Sequence, residues 1–174
     1  KTIYEVLIGA HSIESSIMPT RIKHLKIVTA AVDLSACELE LAGVEGREFL
    51  LRNILQKVIY DFDIILIDCP PSLGMLTINA MTASDSVFIP MQCEFFSLEG
   101  LSHLLTTLDL IKDNLNNQLT ISGIILTMHD RRNKLTEQVE SDVRDFLQDK
   151  VYQNIVPRNI KLSEAPSHGL PAMI

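Results

Sequence analysis

The segment from Asp63 to Gly74 constrains the fold of this chain more than any other. In it a run of apolar residues, Ile64–Ile67, ends at the carboxylate of Asp68 and is followed by two prolines. A short run that is rich in β-branched side chains and closed by proline is typical of a strand buried on both faces. We therefore predict a strand over Asp63–Asp68 within a parallel sheet.

Asp68 is the first candidate for a functional residue. Open α/β sheets bind their ligands at the carboxyl ends of the strands, which is where this acid is placed. A carboxylate buried there is stabilised when it holds a cation, directly or through water, as in the Walker B strand of nucleotide hydrolases. The strand alone leaves a second interpretation open, in which Asp68 caps the turn into the next segment.

Short apolar runs alternate along the chain with longer segments of helical periodicity, which predicts an α/β fold with a mostly parallel sheet and helices on both faces. We predict strands over Leu25–Ala30, Asp63–Asp68, Asp85–Pro90, Ile121–Met128 and Val151–Val156. We predict helices over Ile3–Ile8, Glu48–Ile59, Leu73–Ala83, Ser97–Leu115 and Leu135–Leu147, with Ser72 as the cap of the third.

Composition limits the class of protein. The 174 residues are 47% hydrophobic and contain no linker rich in Gly, Ser or Pro, so we expect a single domain over residues 1–174. The net charge of −7 argues against a surface that binds nucleic acid all round, but it allows a local basic patch. Three well-separated cysteines and the lack of a signal peptide or membrane-length apolar run favour a reducing cytoplasm and no membrane partner.

Polar loops follow four successive predicted strands, and in a parallel sheet all of them fall at one edge. Besides Asp68 they contain Gln92 and Glu94, then the segments His129–Asn133 and Pro157–Lys161. The basic residues of these loops predict a cationic patch for phosphates, either of a nucleotide or of DNA: Arg131, Arg132, Arg158 and Lys161. We interpret the five histidines as ordinary surface or turn residues, because they lack metal-ligand spacing.

At these residues the chain resembles the ParA/Soj family of chromosome- and plasmid-partitioning ATPases, which are P-loop NTPases of the deviant Walker type. The ending Leu162–Gly169 is more similar to chromosomal Soj-like proteins than to the MinD branch. The resemblance extends over nearly the whole chain and is carried mainly by Tyr60–Gly74, Ile89–Leu101, Leu126–Arg132 and Ile155–Pro171.

The resemblance implies an ATPase that uses ATP and Mg²⁺. It implies that Asp68 is the Walker B acid, which places Mg²⁺ through water, and that Pro157 and Asn159 hold the adenine. Arg131 or Arg132, with Arg158 and Lys161, resemble the basic positions that bind DNA without sequence preference. The implied partners are non-specific DNA, a ParB-type centromere-binding protein and a second copy of the chain in an ATP-bound homodimer, in a cytoplasmic, nucleoid-associated protein.

One family feature has no counterpart in this sequence. A glycine-rich Walker A loop and its strand are expected before everything seen here, yet no Gly-Lys-Thr or Gly-Lys-Ser occurs in the chain. Such a loop supplies backbone N–H groups and a lysine to the phosphates. We therefore expect an incomplete domain without the N-terminal P-loop strand and the C-terminal helices, and expect these residues alone to be inactive and poorly soluble.

Two alternatives stay open beside the partitioning ATPase. One is a MinD-like ATPase that regulates cell division, which requires a C-terminal amphipathic helix beyond Ile174. The other is a non-enzymatic interaction protein, a paralogue without a P-loop that keeps the dimer surface. A Walker A loop upstream of Lys1 in the reading frame favours an ATPase, whereas an intact frame without one favours the interaction protein.

Overall fold

A computed structural model describes residues 1–169 of the chain, apart from the side chain of Pro166. Leu170 and Pro171, the end of the last resembling segment, lie outside the described residues. The chain forms two compact units: Lys1–Asp85 with Leu108–Leu119, and Ser86–Thr107 with the residues from Thr120 onward. The single-domain organisation expected from the sequence stays a prediction.

The first unit is mainly helical. Its α-helices and its one antiparallel pair of short strands are α1 (Ile3–Leu7), β1 (Met18–Pro19), β2 (Lys26–Ile27), α2 (Cys37–Glu40), α3 (Leu50–Leu55) and α4 (Met75–Ala83). Short 3₁₀ helices stand at Val32–Ala36, Arg47–Phe49 and Ile59–Asp61. The predicted helices over residues 3–8, 48–59 and 73–83 are confirmed in position, although α3 is shorter than predicted.

Buried side chains hold this unit together. One cluster contains Leu7, Cys37, Leu41 and Leu51. The amide of Asn79, also buried, is fully bonded: its Nδ2 donates to the carbonyl oxygens of Arg47 (2.8 Å) and Met75 (3.1 Å), and its Oδ1 accepts from the N–H of Leu51 (3.1 Å). A buried amide with all these partners stabilises the junction of α3 and α4.

The second unit is built on a parallel sheet of the order β3-β4-β5. Its elements are β3 (Ser86–Gln92), α5 (Phe95–Asn114, whose last residues belong to the first unit), β4 (Thr120–His129), α6 (Lys134–Leu147), β5 (Val151–Pro157) and α7 (Ile160–Glu164), with 3₁₀ helices at Gln148–Lys150 and Ala165–His168. The strands and helices predicted after residue 84 are confirmed. The α/β fold class is confirmed with them.

The strand predicted over Asp63–Asp68 is wrong in this structure. Residues 62–70 form no strand, and the side chains of Ile64 and Leu66 are 76% and 89% exposed. A strand exists only where a neighbour satisfies its backbone N–H and C=O groups, and no described strand pairs with this segment. The predicted strand over residues 25–30 shrinks for the same reason to β2, which pairs only with the two residues of β1.

The cap predicted for α4 is also wrong. The helix begins at Met75, and its N-cap residue Gly74 offers no side chain. The carboxylate of Glu38, distant in sequence, accepts from the N–H of Leu76 (3.3 Å) instead. Ser72 lies too far before the first turn to cap it, and its carbonyl oxygen accepts a hydrogen bond from the Thr77 hydroxyl (2.6 Å).

An aromatic pair lies over a glycine of the central strand. The ring of Tyr152 on β5 lies against Gly123 on β4, where a Cβ atom would overlap the ring. The Tyr152 hydroxyl donates to the carbonyl oxygen of Ser122 (3.1 Å), and its ring centroid lies 5.8 Å from that of Phe88 on β3. The absence of a side chain at Gly123 therefore lets one aromatic side chain connect all three strands.

Replacing Gly123 with Ala is expected to lower the free energy of unfolding by about 1–3 kcal/mol, because the new methyl group displaces the Tyr152 ring. Denaturant titration measures the change. The control is Gly100→Ala in α5, where no atom lies within 4 Å of the added Cβ and where alanine should stabilise the helix by roughly 0.5–1 kcal/mol. Equal stability of Gly123→Ala and the unaltered protein would contradict the packing described above.

Candidate functional site

A cleft of about 500 Å³ opens where β4 and β5 end, and both strands end in polar loops. His129 and Pro157 are partners in the parallel register, and the N–H of Arg158 donates to the carbonyl oxygen of His129 (3.0 Å). Two of the four polar loops are therefore brought together as predicted. The cleft is lined by His129, Asp130, Arg131, Arg132, Ile155, Pro157 and Arg158.

The lining of the cleft is cationic although the chain as a whole is acidic. It contains three guanidinium groups and one carboxylate, a local charge of +2 (3 − 1), against −7 for the whole chain. The side chains of Arg131 and Arg158 are exposed and form no ion pair with any residue in the described part of the chain. Both are available to a phosphate group.

Arg132, in contrast, is engaged within its own loop. Its Nε and one terminal nitrogen donate to the two carboxylate oxygens of Asp130 (2.9 and 2.8 Å). The N–H of Arg132 also donates to Asp130 Oδ1 (3.1 Å). These bonds from Arg132 hold the pKa of Asp130 well below its usual range, and the charges of Arg132 and Arg158 act in the same direction.

The residues predicted to hold the adenine both lie at the carboxyl end of β5 or directly after it. Pro157 is the last residue of the strand and is exposed. Asn159 is the N-cap of α7, where its Oδ1 accepts from the N–H of Lys161 (2.9 Å). That bond fixes the side-chain oxygen of Asn159 and leaves its NH₂ group as the available donor. The exposed side chain of Lys161 stands in the first turn of the same helix.

A buried side-chain network supports the β4 side of the cleft, and the interpretation of His129 as a surface or turn residue is wrong. His129 is 5% exposed, and its Nε2 lies 2.8 Å from Oε2 of Glu140 on α6. The other oxygen of Glu140 accepts from Nε of Arg144 (2.8 Å), whose NH1 donates to the carbonyl oxygen of Tyr152 on β5 (3.1 Å). The network connects β4, α6 and β5.

Backbone geometry turns His129 inward. Met128, the preceding residue, has a left-handed backbone with φ of 53°, and the pairing of β4 with β5 shifts between Leu126 and His129. The alternation of faces is broken there, so that Met128 is exposed and His129 is buried. A polar residue that ends an apolar strand is the only sequence signal for this role, and it does not identify Glu140 as the partner.

Burial and nearby charges shift the pKa values of Glu140 and of two cysteine thiols. Burial, the largest influence, opposes ionisation of Glu140, but the bonds from Arg144 and His129 outweigh it, so the pKa of Glu140 is lowered. Burial, and then the Glu140 charge, raise the pKa of the Cys93 thiol. Burial and the Asp68 charge likewise raise the pKa of Cys69. Neither thiol has the lowered pKa of an activated nucleophile.

Asp68 belongs to the first unit, where its carboxylate is exposed and forms no ion pair or hydrogen bond with a described residue. No group of three or more His, Cys, Asp or Glu side chains suited to a metal occurs among residues 1–169. A lone, free carboxylate fits Mg²⁺, which proteins often bind through one or two carboxylates together with water and substrate phosphates.

Of the helices in the described part of the chain, none has the length and apolar character needed to cross a bilayer.

Comparison with known proteins gives consistent matches. Residues 1–121 match a family model described as an AAA domain. The chain is 47% identical to a chromosome partitioning protein ParA of Myxococcus xanthus, over 99% of this chain and 61% of that protein. It is 48% identical to a chromosome-partitioning ATPase Soj of Treponema pallidum, over 98% of this chain and 67% of that protein. The chain thus spans about two thirds of the length of these relatives.

A solved structure supports the fold. The cobyrinic acid a,c-diamide synthase of Mycobacterium smegmatis, with bound ATP analog and magnesium, superimposes with a TM-score of 0.84 at 30% identity. The match covers 98% of this chain and 75% of that protein. The similarity extends over both units of the present chain.

Replacing Glu140 with Leu is expected to lower the free energy of unfolding by about 1–3 kcal/mol, because His129 and Arg144 lose their common acceptor. The double variant His129→Leu, Glu140→Leu should recover part of this loss, since no unpaired ring then stays buried. Glu99→Leu is the matched control: its contact with His103 is long (3.9 Å) and exposed. Additive effects in the double variant would contradict the pairing of His129 with Glu140.

Acidification provides a second test of the network. A carboxylate whose pKa is lower in the folded state contributes stability above its unfolded pKa and loses it as the pH falls through the folded pKa. Below about pH 5 the unaltered protein should therefore lose more unfolding free energy than Glu140→Gln does. Denaturant titrations of both proteins across this range measure the difference, and parallel curves would argue against the lowered pKa.

Proposed function

Because this chain belongs to the ParA/Soj family of partitioning proteins, we propose that it acts as an ATPase of DNA segregation, for a chromosome or a plasmid. The observation that carries the proposal is the cationic cleft at the carboxyl ends of β4 and β5. Exposed arginines at this edge of an α/β sheet suit the phosphates of a nucleotide or of DNA.

Three residues are proposed to bind the nucleotide and its metal. Asp68 holds Mg²⁺ through water, consistent with its free and exposed carboxylate. Pro157 offers an apolar ring surface to the adenine, and Asn159 offers the NH₂ group that its capping bond leaves free. When bound, Mg²⁺ neutralises the charge that develops on the phosphate oxygens during transfer.

The proposed DNA contacts come from the exposed cations of the second unit: Arg131, Arg132, Arg158 and Lys161. Guanidinium and ammonium groups in surface loops bind backbone phosphates and read no base edges, so the binding is without sequence preference. ATP-dependent formation of a homodimer would double this surface. A ParB-type partner would stimulate hydrolysis and release the DNA, in a cytoplasmic protein associated with the nucleoid.

Asp68→Asn in the full-length protein is expected to lower Mg-dependent ATP hydrolysis at least about 100-fold, since the variant loses the carboxylate that positions the metal. Phosphate release measures the rate. Asp63→Asn, which alters a carboxylate of the same exposed segment, is the control and should retain activity. Full activity in Asp68→Asn would remove Asp68 from the site.

Arg158→Ala in the full-length protein is expected to weaken binding to duplex DNA of any sequence and to reduce the slope of log K against log salt by about 1. Fluorescence anisotropy with ATP at several salt concentrations measures both quantities. Lys112→Ala, at the end of α5, removes an equal charge away from the cleft as the control. Unchanged binding by Arg158→Ala would show that the cleft is not the DNA-binding surface.

A further inference from the structure

The two arginines that follow Asp130 differ in their availability. Arg131 and the neighbouring Arg158 form no ion pair with a described residue, whereas the Nε and NH2 donors of Arg132, which form one edge of its guanidinium, are taken by the Asp130 carboxylate (2.9 and 2.8 Å). The contact has the planar, two-point geometry with which arginine binds phosphate. Asp130 therefore occupies the Nε edge of Arg132, one of the two edges at which a phosphate could bind it at two points.

The exposure of the Asp130–Arg132 ion pair allows another anion to replace Asp130. The Arg132 side chain is 89% exposed and that of Asp130 is 29% exposed, so water and salt weaken their attraction. The charges that act on Asp130 are those of Arg132 and Arg158, and Arg131 lines the same cleft. Asp130 consequently stays ionised near neutral pH, because the bonds from Arg132 hold its pKa well below the usual range.

We propose that Asp130 is a specificity-determining residue of the DNA-binding cleft: an internal counter-ion that a phosphate must displace to bind the Nε edge of Arg132. The proposal deepens the DNA-binding function proposed above and rests on it. A small anion meets two available guanidinium groups, Arg131 and Arg158. A polyanion that binds these two presents further phosphates at high local concentration, and only then does exchange at Arg132 become favourable. Asp130 thus favours polymeric over small anions.

The Asp130→Asn variant tests the proposal in the full-length protein. The amide oxygen can still accept from the N–H of Arg132, so the turn is kept while the charge that holds the guanidinium is lost. We expect the Kd for duplex DNA to fall about 3- to 10-fold, because a phosphate no longer has to displace a carboxylate from Arg132. The salt slope should steepen by about 1, because no released Asp130 charge then stays beside the bound phosphates.

A control variant and a double-mutant cycle separate the effect proposed for Asp130 from a general change in the charge of the protein. Asp142→Asn removes an exposed carboxylate of α6 outside the cleft and should change the Kd much less. In an Arg132→Ala background the gain from Asp130→Asn should shrink to the size of that control. An equal gain in both backgrounds, or the same gain from Asp142→Asn as from Asp130→Asn, would overturn the proposal.

A readout without DNA distinguishes failure of this proposal from failure of the proposed function. Tripolyphosphate is titrated while the Arg132 Nε–H signal is followed by NMR. Displacement of Asp130 predicts that this signal responds at several-fold lower concentration in Asp130→Asn than in the unaltered protein. Identical titrations overturn the counter-ion role. If the folded, unaltered protein does not bind DNA but the tripolyphosphate titration shifts as expected, only the proposed DNA-binding function is contradicted.

Discussion

The central position of β4 is the constraint on which the second unit depends. Its neighbours β3 and β5 satisfy its backbone groups on both edges, and Ile124 and Leu126 are completely buried between the layers. Because β5 runs parallel to β4 and pairs His129 with Pro157, the loops after both strands leave the sheet at one place. The cationic cleft is a direct consequence of that pairing.

Two carboxylates near the cleft are each bonded to an arginine, and the burial of their partners separates their roles. Glu140 is held by Arg144 and by the buried His129, and removing Glu140 leaves the His129 ring buried without its partner. The Asp130–Arg132 pair lies at the surface, where its partners can return to water at little cost. The pair with the buried His129 suits a structural role that holds the strand ends in place, and the pair with the exposed Arg132 suits exchange with a ligand.

Secondary structure after residue 84 follows the sequence pattern closely, whereas the segment Asp63–Asp68 does not form the strand that its pattern predicts. The predicted strand over residues 121–128 and the observed β4 agree because β3 and β5 are present to pair with it. The run Ile64–Ile67 has the same apolar character but no described strand partner, and its residues Ile64, Ile65 and Leu66 are exposed. Periodicity indicates that a segment is able to form a strand, but partners decide whether it does.

The sequence by itself determined the α/β class, the positions of most helices and strands, the placement of Arg131, Arg132 and Arg158 after strands, and the family resemblance, because these are properties of local pattern and motif. The tertiary structure alone decided that Tyr152 lies over Gly123, that Glu38 caps α4 and that His129 is a buried partner of Glu140. Each of these contacts joins residues that are separated along the chain, and only folding brings their atoms close enough to pack or to form hydrogen bonds.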